Sequence, residues 1–231
     1  MMKRLVTAAI IIAMVASVAS AVSFPVTGSN LTGERTTPTG DGLIGTYSWC
    51  SSGSDHGVEI SWSISESKTT GIWTYSYTFT ECGGSALKDV VCHMLLEVSS
   101  SITSSNYSSV ITDANCTVSA PQTFTSSTSN PGLTTSIYAV ELSGQCGETF
   151  SFESTHSPMW GSFYAYGKSC SYVYNSGIGS YPTSGSGSFT GWIPVPDTVV
   201  TATQPIPEPA TMALLGLGLI GVLARRKAAR A

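Results

Sequence analysis

Catalysis in this chain would have to come from few residues, because only 10% of them are charged and there are three histidines. Ser54, Asp55 and His56 supply the residue types of a hydrolytic triad. Residues adjacent in sequence do not meet in triad geometry, and no Gly-x-Ser-x-Gly elbow is present. The two other histidines are His93 and His156. Glycoside hydrolysis needs two inward carboxylates in a cleft; Glu97, Glu141 and Glu153 fall in predicted strands and are the acids that could form such a pair. Asp113 and Asn115 are a fragment of a calcium-ligand set without the loop that completes it. Cys92-His93 offers two metal-ligand types, but the paired short spacings of zinc sites are lacking. We therefore expect no catalytic residue, no metal and no cofactor.

Cysteines and aromatics carry stronger signals. The six cysteines are Cys50, Cys82, Cys92, Cys116, Cys146 and Cys170. In an exported chain an even number predicts three disulfides, with 15 connectivities open and Cys82–Cys92 the favoured pair. Phe150, Phe152, Trp160, Phe163, Tyr164, Tyr166, Tyr172 and Tyr174 crowd into one quarter of the chain. Exposed rings on a β surface would stack on sugar faces, which makes Trp160 and Tyr164 the glycan-binding candidates. The competing and favoured reading is that the rings fill a core.

The elements that would position these residues are strands. Val58, Ile60, Trp62 and Ile64 alternate with Glu59, Ser61, Ser63 and Ser65; Trp73, Tyr75, Tyr77 and Phe79 alternate with Thr74, Ser76, Thr78 and Thr80. Period-two alternation of β-branched and aromatic residues marks half-buried strands, and the turn at 66–71 makes these two a hairpin. Further strands are predicted at 43–49, 90–98, 137–142, 149–154, 160–166, 170–174 and 188–193. The run 89–96 reads as strand or helix, with Val90-Val91-Cys92 favouring strand. Many short strands with one polar face predict an all-β, antiparallel sandwich or jelly-roll-like domain over residues 22–192. Residues 193–206, rich in Pro and Thr, are expected to form an extended spacer; with the stretch carried on to Pro209 it would reach roughly 50 Å at about 3.1 Å per residue.

Both ends read as addresses. Lys3 and Arg4, an apolar run of about 14 residues, and Ala19-Ser20-Ala21 make a secretory signal cut after Ala21. At the other end Pro207-Glu208-Pro209 precedes an apolar stretch at 211–224 and the basic residues Arg225, Arg226, Lys227 and Arg230. As a helix that stretch is about 21 Å long, short of a roughly 30 Å hydrocarbon core, so it makes a marginal transmembrane helix with its basic tail inside.

Triplet, Gly- and Leu-rich helix and arginine cluster, in that order, resemble the PEP-CTERM sorting signal. The resemblance covers about the last 25 residues. It implies a Gram-negative bacterium that makes exopolysaccharide, a membrane-anchored precursor, and processing near Pro207-Glu208-Pro209 by an exosortase, with signal peptidase acting at the other end. The stretches 152–164 and 174–177 also resemble segments recurring in one group of such proteins, a group with no assigned activity.

Composition narrows the rest. Ser and Thr number 66 of 231 residues, the formal net charge is −4, and aromatics are 10%. A nucleic-acid binder would be basic, a coiled coil rich in charge, and a disordered chain poor in aromatics. Six of the ten basic residues lie in the two terminal signals. Residues 22–209 keep Arg35, Lys68, Lys88 and Lys168 against 14 acids, a net of −10. So acidic a domain argues against adhesion to anionic polysaccharide by charge. Asn30, Asn106 and Asn115 start Asn-x-Ser/Thr triplets, weak evidence for glycosylation in a bacterium. The expected function is that of a non-catalytic exported protein of the cell surface or biofilm matrix. The alternatives are a polysaccharide-binding module using surface aromatics, and a secreted glycan hydrolase.

Overall fold

The computed structural model describes residues 24–37, 42–46, 49, 57–104, 109–111, 116–144, 147–168, 171–180, 182 and 189–197. The signal segment, the predicted transmembrane helix and the sorting triplet lie outside these residues. The chain divides into two compact units, residues 1–200 and 201–231. The described residues all belong to the first.

Its described residues form antiparallel β structure, with a short 3₁₀ turn at Gly28–Leu31. Its strands are β1 (Thr32–Thr36), β2 (Leu43–Gly45), β3 (Val58–Glu66), β4 (Trp73–Glu81), β5 (Val91–Glu97), β6 (Ser109–Ile111) and β7 (Cys116–Val118). They continue with β8 (Gln122–Phe124), β9 (Ile137–Gly144), β10 (Thr149–Ser154), β11 (Pro158–Gly161), β12 (Phe163–Gly167), β13 (Tyr172–Asn175) and β14 (Ile193–Pro196). A five-stranded sheet runs β1-β3-β4-β10-β6, and a seven-stranded one runs β2-β13-β12-β5-β9-β7, with β8 also on β9. β11 and β14 form a two-stranded ribbon.

The predicted hairpin is β3–β4, in register from Val58 opposite Glu81 to Glu66 opposite Trp73. Its turn closes through Ser67 N–H to Ile72 O at 2.9 Å and Gly71 N–H to Ser67 O at 2.7 Å. Gly71 has φ +68°, a left-handed conformation that costs glycine nothing. The alternation then does what its period dictates. Ile60, Tyr75, Tyr77, Phe79, Phe150 and Phe152 point inward and are fully buried. From the other sheet Met94, Leu96, Val140, Phe163, Ala165 and Val173 join them in one core. Phe79 and Phe163 meet across it, their ring centroids 6.3 Å apart.

The ambiguous run 89–96 is strand β5, central in its sheet. The predicted strand at 160–166 is two strands, broken at Ser162. Of the described residues 189–193 Ile193 alone is strand, and the pairing begins where the spacer was expected: all four residues of β14 are buried against β11. The folded domain therefore extends to Asp197 and takes residues 193–197 from the predicted spacer.

Candidate functional site

The ribbon gathers the domain's two ends on one strand. β14 pairs with one edge of β11, and the first described residues take the other. Trp160 N–H donates to Phe24 O, and Val26 N–H donates to Pro158 O, both at 2.9 Å. Beside the ribbon lies Arg35, on the inward side of β1. Its guanidinium stands over the rings of Trp62, at 5.0 Å, and Trp160, at 5.8 Å. Its Nε donates to Thr190 O at 3.0 Å and its Nη2 to Phe189 O at 3.1 Å. Tyr77 hydroxyl donates to Pro194 O at 2.8 Å. β14 and the segment entering it are thus fastened to the five-stranded sheet by three hydrogen bonds, two of them from a cation that the Trp62 and Trp160 ring faces hold in place.

This corrects the expectation of a Trp160–Tyr164 glycan platform. Trp160 is 6% exposed and Tyr164 fully buried, and they lie in different sheets. One face of Trp160 stacks on Phe189, centroids 5.1 Å apart at 7°, while its edge meets Trp62. Tyr164 donates its hydroxyl to Pro131 O at 2.7 Å, and burial pushes its phenol well above the usual range. The neighbouring tyrosines form a ladder on the outer side of the seven-stranded sheet. Tyr164 stacks on Tyr172 and Tyr172 on Tyr174, each pair at 15°. In such a ladder the rings spend their faces on one another, whereas a sugar stacks on a free face. Tyr164, Tyr174, Leu95 and Leu133 belong to a second small core.

The acids are not assembled as a hydrolytic pair. Glu153 is on the five-stranded sheet, Glu97 and Glu141 on the other. Glu97 and Glu141 are diagonal neighbours across β5 and β9. The Glu97 carboxylate turns the other way, toward β12, to accept Ser162 N–H at 2.9 Å. Burial raises its pKa; the Ser162 bonds oppose this, and the charge of Asp197 adds to it. Asp197 is itself buried and accepts Ser99 N–H at 3.0 Å. Both carboxylates hold main-chain groups at the ends of strands. His93 shares a 2.9 Å hydrogen bond with Asn130 between the rings of Tyr164 and Tyr166, and the His156 carbonyl accepts Tyr75 hydroxyl. Ser54, Asp55, His56, Asp113 and Asn115 lie outside the described residues. Among the described residues no three His, Cys, Asp or Glu come together as metal ligands.

Cys82 and Cys92 are free thiols, which corrects the favoured pair. The chain crosses from the five-stranded to the seven-stranded sheet between them, so Cys82 trails β4 while Cys92 lies within β5. Cys82 Sγ donates to Thr37 O at 3.1 Å, and burial, then Glu59, raises its pKa. Cys116, opposite Gly144 in the β7–β9 register, is disulfide-bonded. Cys50, Cys146 and Cys170 lie outside the described residues, as do the processing residues Ala19, Ala21, Pro207, Glu208, Pro209, Arg225 and Arg226.

The clamp around Arg35 is what residue reading missed. Its signal was a lone arginine between Glu34 and Thr36 in a segment, Thr-Gly-Glu-Arg-Thr, without apolar alternation.

No curated protein and no solved structure matches the chain. One family model does, over residues 205–227, the stretch in which the Pro-Glu-Pro triplet, the short apolar run and the arginines follow one another. The motif implies an exported protein, membrane-anchored before an exosortase processes it. The chain carries, at its C-terminal end, a PEP-CTERM protein-sorting motif.

Proposed function

We propose that the chain is a non-catalytic structural protein of the cell surface or extracellular matrix of a Gram-negative, exopolysaccharide-producing bacterium. The observation that carries this reading is the sorting motif at 205–227. Signal peptidase cuts after Ala21. The exosortase reads Pro207, Glu208 and Pro209 ahead of the 211–224 span and Arg225 and Arg226, cuts near the triplet, and frees the domain from its anchor. The absence of catalysis is supported by the uses found for the candidate groups: Glu97 and Asp197 accept main-chain N–H groups, and the Trp160 and Tyr164 rings are packed.

The test is Glu208→Ala in the producing cell, with membrane and external fractions probed by an antibody against the domain. Wild type should give a shortened external form, and the variant a full-length form retained in the membrane. Equal processing of the two would overturn the sorting role. N-terminal sequencing of the external form should begin at Val22; a start at Met1 or Met2 would overturn the signal-peptide assignment.

A further inference from the structure

Three oxygen-bearing side chains converge where β5 and β14 end and β12 begins. Ser162, the residue at which β11 gives way to β12, offers both its main-chain groups to Glu97. Its carbonyl accepts Glu97 N–H at 2.9 Å, and its N–H donates to Glu97 Oε2 at 2.9 Å. Two residues further on, Ser99 N–H donates to Asp197 Oδ1 at 3.0 Å, and Asp197 N–H donates to Ser157 O at 3.2 Å. These bonds draw the two acids together, close enough for the charge of Asp197 to act on Glu97. Asp197 is 7% exposed and Ser162 fully buried, while Glu97 is half-buried, which leaves an ion a way in.

Two carboxylates sharing such a place repel, and burial disfavours both charges. Among the described residues no cation is one of the groups that act on Glu97. A second observation is independent of the charges. The Ser162 hydroxyl faces the Glu97 carboxylate, yet it is in hydrogen-bond geometry with neither that carboxylate nor any other group. A buried hydroxyl left without a partner is destabilising, and each such group calls for an explanation. One bound cation would take the hydroxyl's lone pairs and neutralise both acids. The donors are all oxygens, with no thiolate or imidazole, which selects a hard ion over zinc. Calcium accepts six to eight oxygens in irregular geometry, carbonyls and waters included; magnesium demands an octahedron and keeps several waters, which suits so buried a place less well.

We infer that Glu97, Asp197 and the Ser162 hydroxyl are ligands of a calcium ion, which pins the end of β14 to β5 and to the start of β12. The site is independent of the matrix reading above.

The test strips the mature exported protein with a chelator and titrates it with calcium chloride, read by calorimetry and by thermal melts. Wild type should take up one ion per chain, with a dissociation constant of about 10⁻⁴–10⁻³ M, the range of extracellular sites. At about 10 mM calcium its Tm should rise by about 3–10 °C. Glu97→Gln and Asp197→Asn keep an acceptor for the Ser162 and Ser99 N–H groups, and each should weaken calcium binding about tenfold or more. Ser162→Ala should weaken it severalfold, and Glu153→Gln, on the other sheet, should bind as wild type does. Melts in chelator show which variants are folded; should an acid variant be unfolded, the Ser162→Ala titration decides. If stripped wild type takes up no calcium at about 10 mM, the site is overturned. If wild type binds calcium and the Glu97, Asp197 and Ser162 variants bind it equally, the ion sits elsewhere and the assignment falls. If magnesium gives the same rise in Tm, the choice of calcium is overturned.

Discussion

Arg35 offers the sharpest test of how the domain holds its C-terminal strand. Besides a local bond to Glu34 O, Arg35→Ala removes the two charge-assisted hydrogen bonds that reach the C-terminal segment, to Thr190 O and Phe189 O, and two cation–ring contacts, at 5.0 and 5.8 Å; those four contacts set the effect on β14. Because the group is only partly buried, the low ends of the ranges apply: about 1 kcal/mol for each bond and about 0.5 kcal/mol for each ring. The sum is about 3 kcal/mol. In a domain of this size that lowers Tm by roughly 6–12 °C. Arg35→Lys keeps a cation near the rings but lacks the planar fork, and should lose about half as much. The assay is thermal and urea unfolding of the exported, oxidised protein, followed by far-UV circular dichroism and tryptophan fluorescence. Trp62 and Trp160 should report the change locally even at low temperature. An Arg35→Ala protein within about 1 kcal/mol of wild type would refute the clamp. It would mean that β14 is held by its pairing with β11 and by burial alone.

Other expectations follow from the same geometry. Glu97 has a folded-state pKa above its ordinary value of 4.5, so the folded chain binds that proton more tightly than the unfolded one. Its contribution to stability is therefore full below the ordinary carboxylate range and is lost as pH rises through the raised value; Glu97→Gln, which can still accept Ser162 N–H, should flatten that part of the pH–stability curve, while Glu97→Ala should cost about 1–3 kcal/mol throughout by leaving the N–H unpaired. Peptide mapping without reduction should find Cys82 and Cys92 alkylated and Cys116 not, with Cys82 the slower to react because its thiolate is disfavoured. Gly33→Val should destabilise the fold by about 1–3 kcal/mol, because a Cβ there would come within 2.5 Å of the Trp62 ring. A chain ending at Trp192 lacks β14 and leaves Met159, Trp160 and the Tyr77 hydroxyl uncovered; calorimetry should show no cooperative transition.

Where local pattern decides structure, the sequence was legible. β3, β4 and β10 each carry alternating large apolar residues, and period two assigns them both a conformation and a face. β1 was not legible, because its inward positions are Gly33 and Arg35: the glycine makes room for Trp62, and the arginine's burial is compensated by rings and carbonyls that come from 27 to 155 residues away. β14 was hidden for a different reason. Ile-Pro-Val-Pro reads as an extended linker, since proline cannot donate to a ladder and prefers a sheet edge. Here it forms one strand of a two-stranded ribbon, where such a residue is tolerated, and the apolar Ile193 and Val195 fix it in the core. The aromatic cluster was visible as a cluster but not as a set of contacts. Whether Trp160 shows a face to solvent depends on Phe189, and no spacing rule relates the two.

The same distinction separates what could be read of function from what could not. A sorting motif is recognised as a continuous segment, so its residue order alone carries its meaning, and the triplet, apolar run and arginines at 205–227 can be read without a fold. A sheet face has no such order. Ser61 and Thr78 are 17 residues apart, and Thr78 and Thr149 are 71 apart, yet pairing makes them neighbours in one rank. In the sequence they are three of many hydroxyls, indistinguishable from those of the turns. Only register turns composition into a surface, and register is fixed by what lies beneath it. A one-residue slip of β4 against β3 would bring Tyr75, Tyr77 and Phe79 to solvent and bury Ser76 and Thr78, so the aromatic core that gives up every ring face to packing is also what holds the hydroxyls in line.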